Sequence, residues 1–278
     1  MKLVLFIFLL ILSSAQTGNC QVLDSAYIKC TYKLSYLPDS TRPEKVKTDI
    51  LNLLIGKRVS TFYSYSNFLA DSIRSAEMGD NPDAIREYAK NNELQKRYQG
   101  PGLLSHYQLY IDFQKKKIVT TDKIISNHFI YEEDMENIKW SILPDTLVIL
   151  SFNCQKATAS FRGRYYEAWF TEEVPLSMGP FKFYGLPGLI INIRDTKSNY
   201  IYECISVEKI NVAIQMRNKY SEYSKITRAE FRKASKLIFE NPWESMTSGT
   251  SAIIGGQDAE KIKQMLQKGI PYNPIELE

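Results

Sequence analysis

Residues 26–36, AYIKCTYKLSY, alternate between apolar and polar side chains. One face of this segment carries Ile28, Cys30, Tyr32, Leu34 and Tyr36, and the other carries lysine, serine and threonine. A period of two is typical of a β-strand with one buried face. The segment therefore predicts a strand whose apolar side covers a core.

The same alternation recurs along the rest of the chain. Residues 107–113 repeat it, and a turn at 114–116 leads into a second strand at 118–121, which predicts a hairpin. Further strand candidates follow at 128–131, 146–152, 157–161, 165–170, 189–194 and 200–207. Short strands without intervening helices favour an antiparallel sheet. We predict an α+β fold, with a curved, mostly antiparallel sheet or incomplete barrel and a few packed helices.

Helix signals lie mainly outside this array of strands. Thr227 and Glu230 form a capping box, and Asn241 with Pro242 ends the helix that follows. Other helices are predicted at 67–78, 81–97 and 258–267. Since no repeat or low-complexity linker divides the chain, we predict one domain over residues 16–278.

The first fifteen residues have the pattern of a secretory signal peptide. Lys2 precedes the apolar stretch Leu3–Leu12, and small residues follow it at 13–15. We predict cleavage before Gln16, with a later cut, up to residue 20, as the alternative; acylation of Cys20 is a second alternative. The apolar stretch is shorter than the roughly 20 residues of a membrane-spanning helix. The sequence thus predicts an exported protein, periplasmic or associated with the outer membrane, without a transmembrane span.

Charge and cysteine content restrict the function classes. The chain has 35 basic and 31 acidic residues, with no long run of either sign, which argues against a nucleic-acid partner. The four cysteines have no metal-ligand spacing. In an exported protein they favour at least one disulfide, and the candidates are Cys30, Cys154 and Cys204.

Recognisable catalytic motifs are missing from the sequence. There is no HExxH, GxSxG or phosphate-binding loop, and the two histidines, His106 and His128, lack ligand-spaced partners. The sequence therefore predicts no metal and no cofactor, and it assigns no catalytic residue.

The densest group of unusual residues lies between Cys154 and Asp195. One interpretation is a structural corner whose aromatic rings fill the core. The other is the wall of a ligand groove, with five candidate binding residues: Arg162, Arg164, Tyr166, Trp169 and Tyr184. Pro187 and Gly188 also predict a type II turn, with positive φ at Gly188.

A hexapeptide in this group carries a family resemblance. It consists of Gly185, Leu186, Pro187, Gly188, Leu189 and Ile190. Together with CQKA at 154–157, FRGRYYEAWF at 161–170, GPFKFY at 179–184 and YNPIELE at 272–278, it resembles the GLPGLI family of bacterial envelope proteins. The resemblance implies an exported protein of the Gram-negative envelope, and it gives no residue a catalytic role.

Two functional hypotheses follow. The main one is a non-enzymatic binding or accessory protein of the periplasm or outer membrane, whose partner is an outer-membrane receptor or a hydrophobic, glycan or peptide ligand. The alternative is a hydrolase acting on envelope polymers or peptides, with a site assembled from residues far apart in the sequence.

Overall fold

Twelve strands form one sheet in the computed structural model, which describes residues 21–68, 106–124, 127–216, 223–247, 267 and 272–278. The predicted signal peptide, Cys20 and the helices predicted at 81–97 and 258–267 lie outside the described residues, apart from Gln267. Of the helix predicted at 67–78, only the first two residues are described, within a helical turn at 65–68.

The strands are β1 (Gln21–Tyr36), β2 (Lys47–Gly56), β3 (Val59–Ser64), β4 (Gln108–Asp112), β5 (Lys117–Ile124), β6 (Asn127–Asp134), β7 (Ser141–Ile149), β8 (Phe152–Phe161), β9 (Arg164–Thr171), β10 (Leu189–Asp195), β11 (Tyr200–Met216) and β12 (Ser224–Lys225). Their order in the sheet is β12-β6-β5-β4-β3-β2-β1-β11-β10-β9-β8-β7. All pairs are antiparallel except β12 with β6. The predicted curved, mostly antiparallel sheet is confirmed, and it is open rather than closed into a barrel.

Strand β1 lies at the centre of the sheet, between β2 and β11. Cys30, Tyr32 and Leu34 are buried on one face, as the alternation predicts. The Tyr32 hydroxyl donates a hydrogen bond to the carbonyl of Ile190, at 2.6 Å. The strand predicted first thus anchors the core that the hexapeptide joins.

Strands β2 and β3 were not predicted. Leu51, Leu53 and Ile55 of β2 face the main core, whereas Leu54 joins a second apolar cluster with Tyr110 and other residues. Because both faces of β2 are covered, residues 50–55 are apolar at every position except Asn52 and do not alternate. Such a run does not distinguish a strand from a buried helix.

Two helices follow β12: α1 (Arg228–Glu240) and α2 (Pro242–Thr247). The predicted capping box is confirmed, since the Thr227 hydroxyl accepts from the Glu230 N–H and the Glu230 carboxylate accepts from the Thr227 N–H. Phe231 packs on Phe129 and Tyr131 of β6 and holds α1 against this end of the sheet. Neither helix is long and apolar enough to cross a membrane.

The predicted disulfide is not present among the three described cysteines. Cys30, Cys154 and Cys204 are free, buried thiols. Cys154 lies on β8, and β9 and β10 separate that strand from β11, which carries Cys204. On neighbouring strands, Cys30 pairs with Val207 rather than with Cys204.

The turn prediction at Gly188 is wrong. Among the described glycines, positive φ occurs at Gly163 and Gly185, and not at Gly188. A Cβ atom at Gly188 would lie 2.0 Å from the carbonyl oxygen of Thr171. Glycine is required there because the loop backbone approaches the end of β9 closely, not because of its dihedral angles.

Candidate active site

A cavity of about 440 Å³ lies between the sheet, helix α1 and the C-terminal residues. This volume is within the usual range for small-molecule sites. Its walls are largely aromatic: Tyr36, Tyr107, Tyr131, Phe181, Tyr200, Phe231, Phe239 and Tyr272. Polar groups also line it: His106, Thr120, Asp122, Lys123, Arg232, Ser235 and Glu276. Apolar walls and carboxyl groups thus meet in this cavity.

Asp122 enters the cavity from β5. It lies two residues after the buried Thr120 and two before the buried Ile124, so it is on the same face of the strand. One carboxylate oxygen accepts the Lys123 N–H at 2.7 Å. Burial raises the pKa of Asp122 to about 7, and this hydrogen bond and the charge of Lys182 oppose the shift only in part.

Glu276 enters from the C-terminal segment and is buried. Its two oxygens accept from Lys182 Nζ at 3.0 Å and Arg228 Nε at 2.9 Å. Desolvation acts to raise the pKa of Glu276, but the two cations outweigh it and hold this pKa below its ordinary value. Near pH 7, Asp122 is therefore about half protonated, whereas Glu276 is ionised.

Lys182 is the centre of a buried ionic cluster behind the cavity. Its side chain is 1% exposed, and it also pairs with Glu133. The ammonium lies over the rings of Tyr131 and Phe181, at 5.5 and 5.2 Å from their centroids. Because Arg228 pairs with the same two glutamates, the cluster fixes Glu276 from two sides.

None of the five predicted binding residues lines this cavity. Arg162, at the β8–β9 turn, pairs with Glu133 and Glu136 at 3.1 and 2.6 Å. Arg164 is buried and pairs with Asp195 at 3.1 Å.

Tyr166 is buried, and its hydroxyl donates to the carbonyl of Ile275 at 3.3 Å. Tyr184 is buried, and its carbonyl accepts the indole N–H of Trp140 at 2.8 Å. Trp169 alternates with buried neighbours along β9 and so points to the other face of the sheet. The five residues do not share one groove, and a binding role for any of them stays a prediction.

A family model described as "N-glycanase peptide, N-terminal domain" matches residues 91–231. The chain belongs to this family. The matched segment contains Asp122, Arg164 and Lys182, and it ends before Glu276. No curated protein matches the chain.

Two solved structures of PNGF-II, in the C2 and P21 space groups, are similar to this member of the N-glycanase N-terminal-domain family. Each has a TM-score of 0.47 and 12% identity, and each match covers 76% of this chain and 33% of the other. The chain thus spans about a third of the solved chains it matches. Likeness of this strength carries no conclusion about function.

The family match overturns the main functional prediction. A non-enzymatic binding or accessory protein was expected, whereas the matching family is named for a glycan-processing enzyme. The finding supports the alternative, a hydrolase with a site assembled from distant residues. The GLPGLI resemblance is not addressed by these matches and stays a prediction.

Sequence reasoning missed both carboxyl groups of the cavity. A signal for Asp122 was present, because strand alternation places it on the same face as Ile118, Thr120 and Ile124. An acidic residue at a core-facing position is unusual and marks a candidate site. Glu276 carries no comparable signal, since its neighbourhood is created only by the fold.

Proposed function

We propose that this chain is a hydrolase acting on protein-linked glycans, with Asp122 as the general acid and Glu276 as its ionised partner. The observation that carries the proposal is the pair of carboxyl groups in one aromatic cavity, whose environments push their pKa values apart. Separated pKa values of this kind distinguish acid from base in carboxylate enzymes. The name of the family, that of an N-glycanase, supports a glycan substrate.

The two groups have complementary roles in hydrolysis. Protonated Asp122 gives its proton to the atom that leaves the sugar as the bond to the protein breaks. Ionised Glu276 stabilises the positive charge that develops on the sugar. A water molecule then attacks the sugar carbon and gives its proton to the Asp122 carboxylate, which restores the acid. Because Lys182 and Arg228 keep Glu276 ionised, the pair does not exchange roles at neutral pH.

The walls of the cavity suit a sugar ring. Aromatic faces such as those of Tyr107, Tyr131 and Phe231 offer apolar surface to the C–H groups of a sugar. Arg232 and Ser235 of α1 line the same space and supply donors for hydroxyl groups. The combination of flat apolar surface and a few polar groups is typical of small-ligand sites.

We also propose that the chain is exported, as the pattern of residues 1–15 predicts. Export would bring it to glycoproteins outside the cytosol. Detection of the chain in the periplasmic or outer-membrane fraction, with a mature N-terminus between residues 16 and 21, tests this part of the proposal.

The proposed activity is tested with a glycopeptide that carries one defined N-linked glycan. Mass spectrometry of the products follows release of the glycan by the purified chain. We expect release by the wild type and a loss of at least about 100-fold in Asp122→Asn and in Glu276→Gln, the size typical of a removed acid or base.

Asp134→Asn is the matched control, because Asp134 is an exposed carboxylate on β6 that pairs with Lys117 outside the cavity. It should retain wild-type activity. Absence of release by the wild type, or wild-type rates in both cavity variants, would show that the proposal is wrong.

A further inference from the structure

The geometry points to Arg164 as a positioning residue that fixes Glu276 in the cavity by holding the C-terminal strap, residues 273–277. The inference rests on the proposed function, because that proposal gives Glu276 its role. Arg164 itself lies outside the cavity wall. It therefore acts through the strap and not on the substrate.

Arg164 holds the strap by three hydrogen bonds. Its Nε donates to the carbonyl of Ile275 at 3.0 Å, and one Nη donates to Asn273 Oδ1 and the carbonyl of Pro274 at 2.6 and 2.5 Å. The other Nη donates to Asp195 at 3.1 Å and so aligns the guanidinium. The planar guanidinium group of arginine can donate to all of these acceptors at once, whereas the ammonium group of lysine has a different geometry.

Neighbouring groups hold the same segment. The Tyr200 hydroxyl donates to the carbonyl of Asn273 at 2.6 Å, and the Asn273 amide donates to the carbonyl of Leu37 at 2.7 Å. Beyond Glu276, the Leu277 N–H donates to the carbonyl of Arg162 at 2.8 Å. Glu276 therefore lies between two fixed points of the strap.

The strap depends on these hydrogen bonds because it is not held by the backbone hydrogen bonds of a helix or a sheet. Residues 273–277 belong to neither a helix nor a strand. Arg164 is buried and lies over the ring of Tyr200, at 5.1 Å from its centroid, so its orientation is restricted on that side too. Loss of the Arg164 guanidinium should loosen the strap and, with it, the contact between Glu276 and Lys182.

The test compares the full-length chain with Arg164→Lys and Asn273→Ala, which change the two sides of the same contact. Hydrogen exchange at the Leu277 amide measures the hold on the strap, and kcat and KM for the glycopeptide measure its consequence. We expect exchange at least 10-fold faster and kcat at least 10-fold lower in both variants, with KM within about twofold. If one of the two variants fails to fold, the other still tests the inference.

Arg194→Lys is the matched control. Arg194 lies on the neighbouring strand β10, is 56% exposed, and pairs with Glu167. It should change neither exchange at Leu277 nor kcat. Unchanged exchange at Leu277 in the folded variants, or faster exchange with a wild-type kcat, overturns the inference.

Failure of the proposed function gives a different result. If the wild-type chain releases no glycan, the pKa of Glu276, followed by NMR, replaces kcat as the second readout. A rise of this pKa in Arg164→Lys, but not in Arg194→Lys, supports the positioning role without any activity. An unchanged pKa overturns it.

Discussion

Lys182 Nζ lies 3.0 Å from Glu276 Oε1, and neither side chain is more than 9% exposed. The ammonium comes from the loop that precedes the hexapeptide, and the carboxylate comes from the last residues of the chain. Their contact joins the structural core to the wall of the cavity. It therefore links the stability of the protein to the ionisation of its candidate site.

Replacement of Lys182 with methionine should be strongly destabilising at pH 7. It leaves Glu133 and Glu276 buried with fewer cations, and removal of one partner of a buried pair costs about 3–5 kcal/mol. Because the pKa of Glu276 is lowered in the folded chain, its ionisation stabilises the fold at pH values above the ordinary pKa of 4.5. This stabilisation is lost as the pH falls through the folded-state pKa. The cost should thus be smaller at pH 4 than at pH 7, as measured by urea unfolding.

The control for that experiment is Lys117→Met. Lys117 pairs with Glu132 and Asp134 at the surface, and exposed pairs contribute little to stability. If both methionine variants lose the same small amount of stability, the Lys182 contacts are not the buried ion pairs described above.

Replacement of Asp122 with asparagine should change how stability depends on pH. Because the folded-state pKa of Asp122 is raised to about 7, the folded chain binds a proton more tightly than the unfolded chain. The associated stability is present below pH 4 and is lost as the pH rises to about 7. Between pH 5 and pH 8, the free energy of unfolding of the wild type should fall by at least about 1 kcal/mol more than that of Asp122→Asn. Parallel curves of unfolding free energy against pH would contradict the assignment.

Gly188 and Gly185 should respond differently to alanine. The added methyl group at Gly188 meets the Thr171 carbonyl at 2.0 Å, and backbone must move to accommodate it. At Gly185 the nearest atoms are 3.6 Å away, and the cost comes from its φ of +99°. We expect Gly188→Ala to cost about 3 kcal/mol and Gly185→Ala about 1 kcal/mol, in thermal or urea unfolding. The reverse order would restore the turn explanation.

All three described cysteines should be reactive in the unfolded, unreduced chain. In the native protein they should react slowly, because burial raises the pKa of Cys204 to about 12 and also raises the pKa values of Cys30 and Cys154. Thiol labelling followed by peptide mass spectrometry measures both states. A disulfide-linked peptide containing two of these residues would show that the bridge predicted from sequence does form.

Local patterns in the sequence predicted the elements that depend on local rules. The alternation of residues 26–36 identified β1, and the Thr227–Glu230 capping box identified α1. Strand β2 was missed because it is buried on both faces and lacks a period of two. Alternation of apolar and polar residues identifies only strands that are buried on one face.

The candidate site was not predicted, for a related reason. Asp122 and Glu276 lie far apart in the chain and meet at one cavity only when the strap folds back over the sheet. The Arg164 contacts that hold the strap join β9 to residues 273–275, and no spacing rule connects such segments. Likewise, Gly188 was assigned a familiar turn role, although its contact partner, Thr171, becomes apparent only in three dimensions.

The pH dependence of glycan release tests the central claim most directly. If Asp122 is the general acid, kcat/KM for the defined glycopeptide should fall tenfold per pH unit above about pH 7, because the carboxyl group loses its proton. Activity should also fall in acid, at a pH below 4.5, because the pKa of Glu276 is lowered from that ordinary value and the group is protonated only there. A wild-type profile that stays flat from pH 6 to pH 9 would contradict the assignment of Asp122, and with it the proposed active site.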